Sequence, residues 1–199
     1  MSQNRILIML SGTGSNLLAV LENIAAEKLN GTVVGVISDT ANAQGLEIAV
    51  EAGIATQVVA LENLQQVAES FAADLIVLDE FNLALPAEFI ANFSGKILNI
   101  LPSLLPNIDS YKQVIANGAQ EHGCTVQFMV QNHDAVILQA KVPVFAEDLI
   151  DDLQARVAEQ ERQIYPLAIS WFLAGRLKLR ENAVWLDDNQ LPPEGYAAD

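Results

Sequence analysis

Apolar strand-type segments alternate with helical segments through the first half of the chain, and this alternation restricts the fold more than any other feature. The apolar segments are residues 5–10, 32–38, 55–60, 75–78 and 97–101, and the helical segments are residues 17–24, 42–52, 64–71 and 86–93. Strands that are apolar along their whole length are typical of a parallel sheet covered by helices on both faces. The sequence therefore predicts an α/β fold with a mostly parallel, doubly wound, Rossmann-like sheet.

The pattern changes after residue 101. It predicts a short helix at 111–117, antiparallel strands at 125–130 and 135–142 joined by a polar turn at 131–134, a long helix at 148–172, a short hairpin strand at 178–185 and a loose tail at 191–199. Pro166 is expected to kink the long helix or to end its first half. We expect one domain over residues 1–199, with a nucleotide-binding-type half at 1–101 and a C-terminal half at 102–199 that extends the sheet with antiparallel strands.

The charge and the apolar segments of the chain restrict its partners and its location. The 25 acidic and 10 basic residues give a net charge of −15, which repels phosphate backbones and anionic lipids, so neither nucleic acid nor a membrane surface is expected as a partner. Cys124 is the only cysteine and is expected to be buried, in keeping with a reducing compartment. No segment is long and apolar enough to span a bilayer. We therefore expect a soluble, cytoplasmic protein.

A glycine-rich segment, Ser-Gly-Thr-Gly-Ser-Asn at residues 11–16, separates the first strand from the first helix. Glycines let the backbone approach a phosphate, and the start of a helix offers free N–H groups and a partial positive charge. Gly14, Ser15 and Asn16 are therefore candidates for binding a phosphate monoester. The alternative is a tight turn in which Ser15 or Asn16 caps the helix. The segment lacks the third glycine of a dinucleotide fingerprint and the lysine of a Walker loop.

Polar side chains elsewhere are candidates for chemistry. Asn99 ends the fifth strand, where its amide could polarise a carbonyl or hold an oxyanion, or could cap a turn. His133 and Asp134 form either an acid–base pair or a solvated turn. Glu161, on the long helix, either reaches a sugar hydroxyl or is a solvated helix acid. His122 is expected to serve surface packing or a cap, and the histidines lack the partners of a metal site.

Together these segments resemble the phosphoribosylglycinamide formyltransferase family over nearly the whole chain. The matching segments are residues 10–17 (LSGTGSNL), 98–100 (LNI), 102–106 (PSLLP), 136–144 (VILQAKVPV), 161–166 (ERQIYP) and 175–177 (GRL). The resemblance implies transfer of a formyl group from the co-substrate 10-formyltetrahydrofolate to glycinamide ribonucleotide, in purine synthesis and without a metal. The implied partner is a small ribonucleotide phosphate, and we expect a monomer or a homodimer.

The resemblance also implies roles for individual residues. Asn99 would stabilise the oxyanion, and Asp134 would raise the pKa of a histidine whose position is held here by Leu101. The ribonucleotide would be bound by Gly14, Ser15, Asn16 and Glu161, and the folate by Leu83, Ala84, Leu85 and Asn99.

Departures from the family cluster where the folate and the chemistry would be. Leu101 cannot donate or accept a proton. Leu83 stands where the family has an arginine, Glu80 where it has a glycine and Gln127 where it has a histidine, and two glycine-type residues are missing after Asp134. The sequence therefore predicts reduced or absent formyl transfer. The alternatives are an active enzyme in which His133 and Asp134 substitute for the lost histidine, a non-catalytic paralogue that binds a phosphorylated ribose or a protein partner, and a scaffold kept for its fold alone.

Overall fold

A seven-stranded mixed sheet forms the centre of the molecule. The computed structural model describes residues 4–196. The strands are β1 (Arg5–Leu10), β2 (Thr32–Ser38), β3 (Thr56–Val58), β4 (Leu75–Asp79), β5 (Ile97–Leu101), β6 (Glu121–Phe128) and β7 (Ala135–Pro143). They lie in the order β3-β2-β1-β4-β5-β6-β7; β1 to β5 are parallel, whereas β6 and β7 are antiparallel to their neighbours.

Six α-helices cover the two faces of this sheet. They are α1 (Ser15–Ala25), α2 (Gln44–Glu51), α3 (Leu64–Ser70), α4 (Ala87–Asn92), α5 (Tyr111–Ala116) and α6 (Ile150–Leu173). Alternate residues of β1 enter two separate cores: Ile6, Ile8 and Leu10 pack with α1 and α6, while Leu7 and Met9 pack with α3 and α4. Both faces of the strand are thus buried, which confirms the predicted doubly wound α/β fold and its antiparallel extension.

The C-terminal region is more ordered than the sequence suggested. In place of one hairpin strand it forms a small antiparallel sheet of β8 (Leu177–Arg180), β9 (Ala183–Leu186) and β10 (Asn189–Gln190). The expected loose tail packs against β7 as far as Tyr196, whose N–H donates to the Ile137 carbonyl at 2.7 Å. The remaining residues of that tail, 197–199, lie outside the described part of the chain.

Helix α6 continues through Pro166, so the prediction that this residue ends the first half of the helix is wrong. A proline inside a helix removes one hydrogen bond and costs about 3 kcal/mol. Here Ile164, Tyr165 and Ala168 around it are buried against the sheet. Burial of such side chains stabilises the helix by more than the proline costs, because each contributes up to about 2–3 kcal/mol.

Tyr165 connects α6 to the middle of the sheet. Its side chain is 0% exposed, and its hydroxyl lies 2.8 Å from the carbonyl oxygens of both Leu78 on β4 and Leu98 on β5. The ladder between these two strands ends at the pair Val77 and Leu98. The Tyr165 hydroxyl is therefore the hydrogen-bond donor to backbone carbonyls at the point where the ladder stops.

We predict that Tyr165→Phe lowers the free energy of unfolding by about 1–3 kcal/mol, because the variant leaves buried carbonyl oxygens without their donor. Urea titration followed by circular dichroism measures this change. Ser70→Ala, which removes an exposed hydroxyl, is the matched control and should change stability by less than about 0.5 kcal/mol. Equal stabilities of Tyr165→Phe and the parent chain would show that the hydroxyl contributes nothing.

Candidate functional site

The glycine-rich loop at residues 11–16 lies where the strand order of the sheet reverses. It leaves the carboxyl end of β1, whose neighbours are β2 on one side and β4 on the other. Ligands of open α/β sheets bind at this kind of position. Gly14 is the N-cap of α1 with a φ of 75°, and no side chain caps the helix. The alternative in which Ser15 or Asn16 serves as the cap is therefore not what the structure contains.

The first acidic group at this loop is Asp79, the last residue of β4. Asp79 and Asn16 are each only 1% exposed. The Asp79 carboxylate accepts hydrogen bonds of 3.0 Å from Asn16 Nδ2 and from the Leu17 backbone N–H. Burial raises the pKa of Asp79, and the hydrogen bonds from Leu17 and Asn16 oppose this effect. The beginning of α1 is thus occupied by a carboxylate of the chain itself.

Glu80 adds a second acidic group. It has a φ of 53°, in the left-handed region that a glycine adopts most easily. Although the residue keeps an exposed surface, a Cβ built on Gly12 would lie 2.5 Å from Glu80 Oε2. The carboxylate therefore lies directly against the loop. Partial desolvation raises the pKa of Glu80, and the charge of Asp79 raises it further.

Glu161 approaches the same place from α6. It is 8% exposed, so it is not the solvated helix acid of the alternative interpretation. Burial, together with the charges of Glu80 and Asp79, raises the pKa of Glu161 to about 7. These three residues form what we call the acidic cluster. Asp79 and Glu80 were not identified as site residues from the sequence. A signal was available, because these two acids directly follow the apolar run at residues 75–78.

Asn99 and Leu101 lie on the other face of the sheet. Leu98 and Ile100 enter the core that includes α6, so the side chains that alternate with them along β5 point to the opposite face. Both Asn99 and Leu101 are half-buried. In the ladder with β6, Leu101 is opposite Thr125. The structure therefore separates Asn99 from Glu161 by the thickness of the sheet at this strand.

Thr125 and Gln139 hold the loop that follows β5. The Thr125 hydroxyl donates to the Ser103 carbonyl at 2.7 Å, and Gln139 Oε1 accepts the Leu105 N–H at 2.8 Å. The hydroxyl of Thr125 also lies 2.8 Å from Gln139 Oε1. The polar groups opposite Leu101 are thus engaged in fixing the backbone of residues 102–106.

His133 and Asp134 lie away from Asn99. The His133 ring lies 3.0 Å from the Gln131 carbonyl through Nδ1 and 3.1 Å from the Asn182 carbonyl through Nε2. Asp134 is exposed and lines a cavity with Ala183 and Val184 of β9 and with Asn182 in the turn before that strand. Because β7 is the second strand from β5, the two backbones are roughly 10 Å apart. The structure does not bring the proposed acid–base pair to the amide of Asn99.

The segment expected to contact folate connects β4 to α4. Leu83 and Leu85 are half-buried and Ala84 is exposed. The Asn82 N–H donates to Ser11 Oγ at 2.8 Å, so this segment is tied to the glycine-rich loop. Residues 83–86 carry only apolar side chains, so this part of the segment offers a ligand apolar surface and backbone groups.

Two further groups at this end of the sheet are buried. His122 is buried and contacts the Tyr111 ring edge-on. It is therefore a core residue and not the surface or capping residue that the sequence predicted. Burial lowers the pKa of its imidazole. Cys124 is buried as predicted, and burial raises the pKa of its thiol to about 12, which keeps it protonated.

Over residues 4–196 there is no group of three or more His, Cys, Asp and Glu side chains that could hold a metal ion. Within the same range, no helix combines the length and the apolar character needed to cross a membrane.

The acidic cluster makes stability depend on pH. The Glu161 pKa is raised from an ordinary 4.5 to about 7, so its stabilising effect is full below pH 4.5 and is lost as the pH rises through about 7. That loss amounts to roughly 3 kcal/mol. We predict that Glu161→Gln flattens the decrease, which urea titrations across this range measure. Glu159→Gln, at an exposed site on the same helix, should leave the decrease intact; an unchanged decrease in Glu161→Gln would contradict the prediction.

Comparisons with known proteins agree with this architecture. A family model described as formyl transferase matches residues 4–169. The phosphoribosylglycinamide formyltransferase of Escherichia coli (strain K12) is 46% identical over 209 aligned positions that cover 98% of this chain and 99% of the relative. That of Haemophilus influenzae is 41% identical, over 97% and 98% of the two chains. The solved phosphoribosylglycinamide formyltransferase of Coxiella burnetii, in complex with CHES, has a TM-score of 0.92 at 32% identity and covers 98% and 99%.

The similarity to the two bacterial relatives extends over 97–98% of this chain. Sequence identity of this level over nearly the full length, together with the same topology, cannot be ascribed to a shared fold alone. The chain belongs to the formyl transferase family, among the phosphoribosylglycinamide formyltransferases.

Proposed function

We propose that the chain acts in formyl transfer for purine synthesis, with 10-formyltetrahydrofolate as donor and glycinamide ribonucleotide as acceptor, and that its turnover is far below that of its relatives. Family membership supports the reaction. The observation that carries the reduced turnover is Leu101, which lies two residues after Asn99 on β5 and whose side chain cannot act as an acid or a base. We propose the cytoplasm as the compartment and a monomer or homodimer as the active form.

Formyl transfer needs two kinds of help. When an amine attacks the formyl carbon, negative charge develops on the formyl oxygen, and the side-chain N–H of Asn99 is suited to stabilise it. A proton must also leave the attacking nitrogen. Loss of a general acid or base typically reduces the rate by about 10²–10⁴-fold.

Among residues 4–196, the groups near Leu101 are engaged elsewhere. The ring of His122 hydrogen-bonds the backbone of Pro102, but it is 4% exposed and lies on the face of β6 that carries the core residues Cys124 and Val126. The Thr125 hydroxyl opposite Leu101 is bound to the Ser103 carbonyl and Gln139. The ring of His133 lies 3.0 Å from the Gln131 carbonyl oxygen and 3.1 Å from the Asn182 carbonyl oxygen, on the far side of β6 from β5. Slow transfer assisted by Asn99 alone is therefore the activity that these residues support.

Binding of the donor is weakened in the same region. A pterin ring presents several hydrogen-bonding groups, and residues 83–85 offer it apolar side chains and backbone groups. The turn before β7, which lacks two glycine-type residues of the family pattern, ends with Asp134 directed to the C-terminal sheet. We therefore expect a high KM for 10-formyltetrahydrofolate in addition to a low kcat.

A second function is a non-catalytic paralogue that binds a phosphorylated ribose or a protein partner. The observation in its favour is the distribution of the changes. The altered residues Leu83 and Leu101 lie at the donor and reaction sites, while the glycine-rich loop and Glu161 of the opposite face are kept. Such a protein would show no formyl transfer, even after the missing side chain is restored.

We predict that the parent chain has a kcat at least about 100-fold below that of the Escherichia coli relative assayed beside it, and that Leu101→His raises it at least about tenfold, because an acid–base group returns. Spectrophotometric release of tetrahydrofolate measures both. Leu101→Gln, polar but unable to take a proton at neutral pH, is the matched control and should gain nothing. The gain should disappear in Leu101→His/Asn99→Ala.

Three outcomes decide between the proposals. Equal turnover in the parent chain and the Escherichia coli enzyme would contradict the reduced activity. An equal gain in Leu101→Gln and Leu101→His would contradict the role given to the imidazole. No turnover in any variant would favour the non-catalytic paralogue.

A further inference from the structure

Two side-chain donors of the glycine-rich loop, and one backbone N–H of α1 next to it, hydrogen-bond to acids of this chain. Asn16 Nδ2 and the Leu17 N–H both donate to Asp79, each at 3.0 Å. The Ser11 hydroxyl donates to Asp39. An anion bound at the start of a helix depends on donors of this kind. A phosphate that approached this loop would have to displace carboxylates that already hold them.

The Asn16 side chain also directs its hydrogen-bond donor to an acid of the chain. It is 1% exposed, and its amide nitrogen is directed to Asp79. Its Oδ1 is buried and has no hydrogen-bond partner among the described residues. A buried acceptor without a donor is unfavourable, and an anion brought next to it would make the arrangement worse. The Asn16 side chain is therefore not available as a hydrogen-bond donor to an anion at this loop.

Glu80 closes the loop from the side of β4. Its Oε2 occupies the space beside Gly12, at 2.5 Å from where a Cβ on that glycine would lie. Its backbone has a φ of 53°, in the left-handed region that is unfavourable for residues other than glycine. An acid is thus held in a strained conformation against the segment that a phosphate would contact.

We propose that Asp79 and Glu80 compete with a phosphate for the glycine-rich loop and thereby determine specificity, lowering the affinity of this end of the sheet for dianionic ligands. Glu161 on α6 adds a further carboxyl to the same surroundings. The inference deepens the proposed function by predicting weak binding of the ribonucleotide phosphate. It concerns the acceptor site only, and does not depend on Leu101 or on turnover.

The test is a titration with sulfate, a dianion whose charge stays constant at neutral and alkaline pH. Binding is followed through the amide resonances of Gly12 and Gly14 in ¹⁵N-correlated spectra, in buffer about one unit above the Glu161 pKa of about 7. Glu80→Gly, which removes the carboxylate and relieves the backbone, should bind sulfate at least about tenfold more tightly than the parent chain. Glu80→Gln, which keeps the length of the side chain without its charge, should also gain affinity.

Glu88→Gln is the matched control, because it changes the net charge equally at an exposed position on α4. It should leave the sulfate affinity at the parent value. If the parent chain binds sulfate at Gly12 and Gly14 as tightly as Glu80→Gly does, the inference is overturned. It is also overturned if neither Glu80 variant gains affinity while retaining the parent circular dichroism spectrum, or if Glu88→Gln gains as much. Loss of formyl transfer in the parent chain would bear on the proposed function and leave these affinities unaffected.

Discussion

The hydrogen bonds of Tyr165 to β4 and β5 determine where the long helix lies and therefore where the site is built. The hydroxyl contacts the Leu78 and Leu98 carbonyls at the end of their ladder. Glu161 is one turn earlier on α6, and residues four apart lie on the same face of a helix. Anchoring Tyr165 therefore carries Glu161 to the carboxyl edge of the sheet, next to Asp79 and the glycine-rich loop. The same packing allows α6 to pass through Pro166 unbroken.

The two faces of the sheet edge differ in their chemistry. On the face of Asn99, Leu101 is apolar and half-buried. On the α6 face, Asp79, Glu80 and Glu161 place three carboxyl groups near the glycine-rich loop. A leucine in place of an acid–base group affects chemistry without affecting the fold, whereas burial and the charges of Glu80 and Asp79 raise the pKa of Glu161 and so lower stability as the pH rises. Both features leave intact the cores that hold the sheet together.

Much of the fold was predictable because local patterns and tertiary packing agree. The strand at residues 97–101 and the glycine-rich turn were predicted from apolar runs and turn residues. The ends of β6, the small C-terminal sheet and the course of α6 through Pro166 were not, because they depend on partners distant in sequence. Tyr196 against β7 is one example: its bond to Ile137 exists only once the sheet is complete.

The sequence by itself determined the doubly wound sheet, the position of the glycine-rich loop on it and the absence of an imidazole at Leu101, since apolar periodicity and residue identity are local properties. Only the tertiary structure decided that Asp79, Glu80 and Glu161 meet at that loop, that Asn99 points to the other face, and that Asp134 lies beside the C-terminal sheet. The physical reason is that burial, hydrogen bonding and electrostatic interaction depend on which strands and helices become neighbours, and the order of residues along the chain does not specify those distances.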